Sequence, residues 1–362
     1  MALMLGIESS CDETAAAVVE NGRTVRSNAV SSQMAKHAVY GGVVPELAAR
    51  EHLKALPHVV GSALREANVS MSDISAVAVT QGPGLIPALL VGLNYAKGLA
   101  MSNKLPLIGV NHFMAHIYGA FLDGRDEILR QKETYPLLAL VVSGGHTSLV
   151  LVNSDGEARQ LGCTIDDAAG EALDKGAKLL NLGYPGGPAI QKCAANGDAQ
   201  KVAFPRPLTG SAGKPVPPEL RYSFSFSGIK TALLYHIRNA EKGNPDILSD
   251  AQFVADTAAS YQFAVVDTLV RKTLLCAREH HVKTVVVAGG VACNQLLRDE
   301  MAKRLPKNIS LQIAPPKYCT DNAAMVGGIG FSHFQTNDFS PLSIDSFARL
   351  PGIVKVIFCS AK

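Results

Sequence analysis

The chain has 362 residues, 47% of them hydrophobic, with 32 glycines, 19 prolines and no tryptophan. That length and balance suit two lobes with their own cores and exclude a disordered or fibrous protein. The formal charge of +3, from 34 basic and 31 acidic residues, is too near balance for a dedicated nucleic-acid-binding domain, although a local basic surface stays open.

Seven cysteines are scattered and never spaced Cys-x-x-Cys, which argues for reduced thiols and against a disulfide framework or zinc ribbon. No basic leader is present, and no apolar run approaches the ~18 residues of a membrane span. The expectation is a cytoplasmic protein without membrane partners, and no transit peptide marks it for mitochondria.

In chain order, residues 4–8 read as a buried strand that enters the polar turn 9–14 and leaves as a second strand, 15–19. A helix over 45–67, a strand over 74–79, and a turn at 81–84 opening a helix to about 100 come next. A strand at 106–110 then feeds Asn111, a plausible N-cap, and a helix carrying His112 and His116. Phe113, Ile117, Ala120 and Phe121 give that helix a core stripe, which leaves the two imidazoles on one neighbouring face, able to reach a single ion. By itself a His-x-x-x-His pair is common, and it is at most half of a metal site.

The opening layout recurs. Residues 137–142, 143–147 and 148–152 repeat strand, turn and strand, with Thr147 in the place of Thr14, so the chain reads as a duplicated lobe. The second half continues with a helix around Asp166 to Lys175, a turn at 184–188, and the apolar strand 284–288 followed by Gly289, Gly290 and Asn294 at a helix start. Strand and helix alternate in both halves, which predicts mostly parallel sheets covered by helices.

Between Lys201 and Lys230 the composition shifts. Five prolines forbid a continuous helix, and Lys201, Arg206, Lys214, Arg221 and Lys230 face only Glu219, with Phe204, Tyr222, Phe224 and Phe226 interleaved. This is either a surface loop whose aromatics dock on the core or a nucleic-acid contact.

Three glycine-bearing turns are read as following apolar strands: Ser143-Gly144-Gly145, Pro185-Gly186-Gly187-Pro188, and Gly289-Gly290 with Asn294. Glycine lets a backbone approach a phosphate, and turn N–H groups cradle anions. With no Walker loop and no Gly-x-Gly-x-x-Gly, the turns and the duplication suggest a nucleotide held in a cleft between two lobes. Asp321, after Pro315 and Pro316, is either a helix cap or the carboxylate of a two-His, one-Asp site with open positions.

The runs 6–14, 111–116, 142–147, 224–231 and 320–325 resemble, in order, the successive signatures of the TsaD family, with 166–172 and 184–188 of bacterial or organellar type. The resemblance implies an α/β, actin/Hsp70-like (ASKHA) fold of two RNase H-like lobes. The lobes are expected at 1–131 and 132–319, with 320–362 a returning helix and an unassigned tail, helices near 320–350 packing back onto the first lobe. It implies transfer of a threonylcarbamoyl group from threonylcarbamoyl-adenylate to N6 of adenosine 37, in the anticodon loop of tRNAs reading codons that begin with A, with release of AMP. By the same resemblance His112, His116 and Asp321 would bind Fe2+, or alternatively Zn2+. Val141, Val142, Ser143, Gly144, Gly145, Asp174, Gly187 and Asn294 would hold the adenylate, and Asp12 and Glu13 would stand beside the reacting centre. Implied partners are a TsaB-like paralogue, a TsaE-like ATPase and a TsaC-type synthase supplying the adenylate.

Pro87 and the glycine-rich 327–330 depart from the family's usual pattern, and residues 353–358 read as a strand without a place. Three rivals share parts of this evidence. A small-molecule O-carbamoyltransferase differs only in its acceptor, and an inactive scaffold would not need both histidines. A metalloendopeptidase needs Glu directly after the first His, where Phe113 stands.

Overall fold

The structure is a computed structural model that describes residues 1–40, 42–210, 215–349, 353–356 and 358. Lys214 of the basic loop and Ile357 of the tail strand lie outside the described residues. The chain divides into two compact units, 1–134 with 154–158 and 314–362, and 135–153 with 159–313.

Unit 1 begins with the strands β1 (Leu3–Glu8), β2 (Glu13–Glu20) and β3 (Thr24–Ser32), then the short helix α1 (Met34–Ala38) and the long α2 (Pro45–Glu66). β4 (Ala76–Gly82), α3 (Ile86–Asn103), β5 (Leu107–Asn111) and α4 (His112–Gly119) follow. Unit 2 holds β6 (Leu137–Val142), β7 (Thr147–Val152), β8 (Glu157–Cys163), α5 (Ala169–Leu179), α6 (Gly186–Ala194), α7 (Ser227–Glu241), α8 (Ala251–Glu279), β9 (Thr284–Ala288), α9 (Gln295–Arg304) and β10 (Ser310–Ile313). The chain then returns to unit 1 with α10 (Pro316–Cys319), α11 (Ala323–Gln335) and β11 (Ile353–Lys355), where Val356 N–H donates to Gly156 O at 2.7 Å.

Five strands of each sheet share one order, and the second sheet carries β11 as a sixth strand beside β8. Unit 1 runs β3-β2-β1-β4-β5, and unit 2 contains β8-β7-β6-β9-β10 in the same succession. In each, the first two strands pair antiparallel, and the first strand, the fourth and the fifth are parallel. The repeat legible at Thr14 and Thr147 is therefore a repeat of whole units: the turn after β1 and the turn after β6 are equivalent places. β1, β6 and β9 are buried along their full length, as strands covered on both faces must be.

In unit 1, Leu5, Ile7, Val77 and Val79 pack with Leu56 and Val60 of α2 and Leu93 of α3. α11 lies on β1 and α4. Its glycines make that approach possible: a Cβ on Gly327 would stand 2.9 Å from Val19 Cγ2, one on Gly328 2.7 Å from Tyr118 Cε1, and one on Gly330 2.6 Å from Ala78 Cβ. The unusual glycine run is thus a packing face. Pro87 falls in the first turn of α3, where a missing N–H leaves no helical bond unmade.

Gly6 is the tightest point, since a Cβ there would lie 2.2 Å from Ala323 O. Gly6→Ala should push α11 off β1 and destabilise the protein by about 3 kcal/mol, seen as a lower urea midpoint. Because Asp321 sits just before α11, metal retention should fall with it.

Candidate functional site

Two groups of side chains were expected from sequence, and they fall in different units. The metal candidates and carboxylates are in unit 1, the glycine turns in unit 2.

α4 begins where expected: Asn111 Oδ1 accepts from Phe113 N and Met114 N at 3.0 and 3.2 Å. All eight residues of α4 are buried, so the imidazoles sit in a dry environment. At the start of α11 it is Asn322 that caps, accepting Met325 N at 3.0 Å. Asp321, one residue earlier, is released from that duty and turns to the histidines. Its Oδ1 lies 3.1 Å from His116 Nε2 and 3.7 Å from His112 Nε2. Ligand atoms of His112, His116 and Asp321 all fall within 4.8 Å of one another.

Glu8 was not expected from sequence as part of this group. The buried carboxylate ends β1 and faces His112 Nδ1 at 3.1 Å, while Thr80 Oγ1 donates to it at 2.6 Å and Ser10 N at 2.5 Å. Its only signal in the sequence is an acid closing an otherwise apolar buried strand. The Glu8 contact fixes a proton on His112 Nδ1 and leaves Nε2 as a lone pair aimed at Asp321, a carboxylate-oriented ligand in the usual sense. Two electron-pair donors at 3.7 Å need a positive charge between them, so the donor set fits a divalent metal.

Without that metal a proton serves instead. Burial lowers His112, but Glu8 and Asp321 outweigh it and hold the imidazole up at about 9. Burial likewise raises Glu8, and the His112 charge overrides it so that Glu8 ends low. His116 is driven down by burial and then by the His112 charge. Since the His112 proton must leave before Nε2 can hold a cation, Zn2+ affinity should weaken about tenfold per pH unit below 9. Titration calorimetry of metal-free protein at several pH values should show that slope and proton release; a flat affinity would mean His112 is already neutral. The sign for folding is opposite. The His112 contribution to stability of the metal-free protein is complete below pH 6.5 and lost as pH rises through about 9, whereas that of Glu8 is complete above pH 4.5 and lost as pH falls through its lowered value.

The turn between β1 and β2 carries Asp12 and Glu13. Burial raises both, Glu13 to about 7 even though Ser32 Oγ donates to its Oε1 at 2.8 Å. Its Oε2 is buried and has no hydrogen-bond partner.

In unit 2 the turn after β6 is tied by Ser143 N–H to His146 O at 2.8 Å and by Gly170 N–H to Ser143 O at 3.2 Å. Gly289, at φ +92°, packs so close that a Cβ would meet Val142 O at 2.4 Å. Asp174 Oδ1 accepts Gly186 N–H at 2.7 Å, at the start of α6. Val141 and Val142 are buried strand residues, so they offer backbone only. Asn294 caps α9, accepting Leu297 N at 3.1 Å. By contrast, a Cβ on Gly144, Gly145 or Gly187 meets nothing within 4 Å, and none of the three has positive φ. Neither packing nor backbone conformation requires glycine there, which is the condition of a surface that something else approaches.

The basic loop reads differently in the structure. Phe204, Phe224 and Phe226 are buried. Arg206 pairs with Asp267 at 3.0 Å, Arg221 with Glu279, and Lys230 with Asp167 at 2.6 Å. The buried Lys272 holds Arg221 O at 2.7 Å. These cations and rings pin the loop to α7, to α8 and to Asp167 just ahead of α5, and the core-docking reading is the one the geometry favours. Among the described residues no helix is long and apolar enough to cross a membrane.

Solved structures share the architecture. The activator of the 2-hydroxyisocaproyl-CoA dehydratase from Clostridium difficile aligns at TM-score 0.53 and 15% identity over 94% of this chain and all of its own. T. kodakarensis HypF aligns at 0.58 and 15% over 94% of this chain and 49% of its own. The fold is that of the actin/Hsp70-like α/β class, here carrying a candidate two-His, one-Asp metal centre. The profile of TsaD, tRNA N6-adenosine threonylcarbamoyltransferase, matches residues 24–328. Relatives of that name from Geobacter metallireducens (49% identical over 96% of this chain and 97% of the relative) and Thermosipho africanus (45%, 96% and 99%) align end to end. The chain belongs to the TsaD family.

Proposed function

We propose that this protein is a tRNA N6-adenosine threonylcarbamoyltransferase, moving the threonylcarbamoyl group of threonylcarbamoyl-adenylate to N6 of adenosine 37 and releasing AMP. The observation that carries the reading is the convergence of His112, His116 and Asp321 beside the Asp12 and Glu13 turn in a chain of this family.

The three ligands would hold one Fe2+ or Zn2+. When bound, the metal supplies Lewis-acid stabilisation and a template for a carbonyl or phosphate oxygen. Glu8 orients His112, and burial of α4 keeps water from the imidazoles. Gly144, Gly145 and Gly187 leave room for a nucleotide to lie against the turns of unit 2, with Asp174 holding the backbone at Gly186 and Asn294 the start of α9. The solved activator with this fold carries bound ADPNP, which supports a nucleotide there.

The adenylate is already activated, so catalysis is chiefly positioning plus one proton transfer. The exocyclic amine of adenine is a weak nucleophile because its lone pair is delocalised into the ring. Glu13 Oε2, buried and without a partner, is the acceptor for the amine proton, and Asp12 contributes negative charge to the same turn. Working partners in this reading are a TsaB-like paralogue, a TsaE-like ATPase and a TsaC-type synthase, in the cytoplasm with the tRNA.

The test is reconstitution. Purified protein with those partners, threonine, bicarbonate, ATP and unmodified tRNA should yield threonylcarbamoyladenosine by nucleoside mass spectrometry. A product made instead on a small-molecule hydroxyl, with tRNA untouched, would move the assignment to an O-carbamoyltransferase.

A further inference from the structure

Beneath the carboxylate turn lies a buried relay that neither metal nor nucleotide chemistry uses. Val44 N–H faces His37 Nδ1 at 3.3 Å, His37 Nε2 faces Gln33 Oε1 at 3.1 Å, and Gln33 Nε2 faces His52 Nδ1 at 3.3 Å. His52 Nε2 then faces Cys11 O at 3.0 Å, while Thr14 Oγ1 meets its Nδ1 at 2.7 Å. His37 and His52 are fully buried, and Gln33 is 3% exposed.

The two ends are backbone groups, and they decide every proton between them. An N–H can only donate, so His37 Nδ1 accepts, its Nε2–H donates to Gln33 Oε1, and the Gln33 amide donates to His52 Nδ1. A carbonyl can only accept, so His52 carries its proton on Nε2 and gives it to Cys11 O. Both histidines are therefore neutral Nε2–H tautomers, and the amide of Gln33 has one orientation. Such a one-directional chain polarises its members, and its inner bonds, His37 to Gln33 and Gln33 to His52, are buried.

The far end is the turn itself. Cys11 O and Thr14 Oγ1, the two groups His52 holds, bracket Asp12 and Glu13, and Gln33 N–H separately takes Asp12 O at 3.0 Å. We infer that His52 is a positioning residue for transfer: through the His37-Gln33-His52 relay it sets the place of the Asp12 and Glu13 carboxylates. The inference rests on the transferase reading above.

The test compares His52→Leu with His52→Gln in the reconstituted complex. The Gln amide reaches the place of Nε2 and can donate to Cys11 O, while Leu cannot. His52→Leu should lower kcat about tenfold or more through a displaced turn, with KM for tRNA and bound metal per chain unchanged. His52→Gln should restore most of that kcat at the same thermal stability as the Leu variant. Nitrogen-15 NMR of the wild type should show both histidines neutral and protonated at Nε2.

Wild-type kcat in His52→Leu, equal losses in Leu and Gln, or an Nδ1–H signal for His52 would each overturn the relay. Should His52→Leu fail to fold, Gln33→Leu carries the same test, and an unchanged kcat there overturns it too. A wild-type protein that modifies no tRNA overturns the transferase reading instead, while the NMR result still decides the relay.

Discussion

His112→Ala/His116→Ala should abolish metal retention and lower threonylcarbamoyl transfer by at least about a thousandfold, while the protein stays folded. Removing two of the three proposed ligands leaves only Asp321 of the set, and a single carboxylate with 16% of its side chain exposed does not hold a divalent cation against water. The size follows from what the metal does. One lost electrostatic stabiliser of developing charge in a dry site costs about 10²–10³ in rate, and the lost template adds to that. Metal content by plasma mass spectrometry and turnover of tRNA should fall together. A double variant that keeps wild-type turnover without metal would remove the metal from the reaction, whatever the geometry.

Loss of packing is the competing explanation for any such drop, and it can be bounded. Both imidazoles are buried, so alanine leaves cavities, and each cavity weakens the fold. Yet the metal-free site also stores a cost, because the His112 proton and the Glu8 carboxylate are held out of water as a pair. Glu8 left behind alone would take up a proton. Circular dichroism and a urea midpoint on the variant, beside its metal content, therefore separate a folded empty site from an unfolded one.

How much of this was legible in the sequence follows from where the signals lie. The helix of His112 and His116 announced itself through local devices, an Asn cap and a four-residue spacing, and these survive intact. The duplication was legible because strand, turn and strand are contiguous, and five strands of each sheet repeat one order. Glu8 was not legible as a partner of His112, since 104 residues separate them and only the parallel pairing of β1 with β4 and β4 with β5 brings their ends together. His37, Gln33 and His52 were missed for a related reason. Each looks like an ordinary polar residue on or before a helix, and their common purpose depends on which faces of α1 and α2 are buried. The basic loop was left open between two readings for a like reason. Its cations were visible, but their partners on α8 lie far along the chain, Asp267 61 residues from Arg206 and Glu279 58 from Arg221, where local charge counting cannot pair them.

Glu13→Gln should lower kcat about a hundredfold or more, the range of a lost general base, and it should also make the protein more stable. The two effects have one cause. Burial lifts Glu13 to about 7 from an ordinary 4.5, so the folded chain binds a proton more tightly than the unfolded chain does. Stability is then complete below pH 4.5 and is lost as pH rises through about 7, where the carboxylate must ionise in a partly dry turn. A neutral amide removes that penalty, on the order of 2 kcal/mol after allowing for the solvent that still reaches the side chain. In the wild type kcat should climb with pH to a plateau above about 7, as Glu13 ionises, and in Glu13→Gln that limb should be gone. A residue that only orders its turn would lose stability on substitution along with activity. A carboxylate kept for catalysis at the expense of folding gives the reverse, a higher urea midpoint beside a lower kcat. If Glu13→Gln is less stable and keeps its pH limb, the proton goes elsewhere, and Asp12, raised by the same burial, is the next acceptor to substitute.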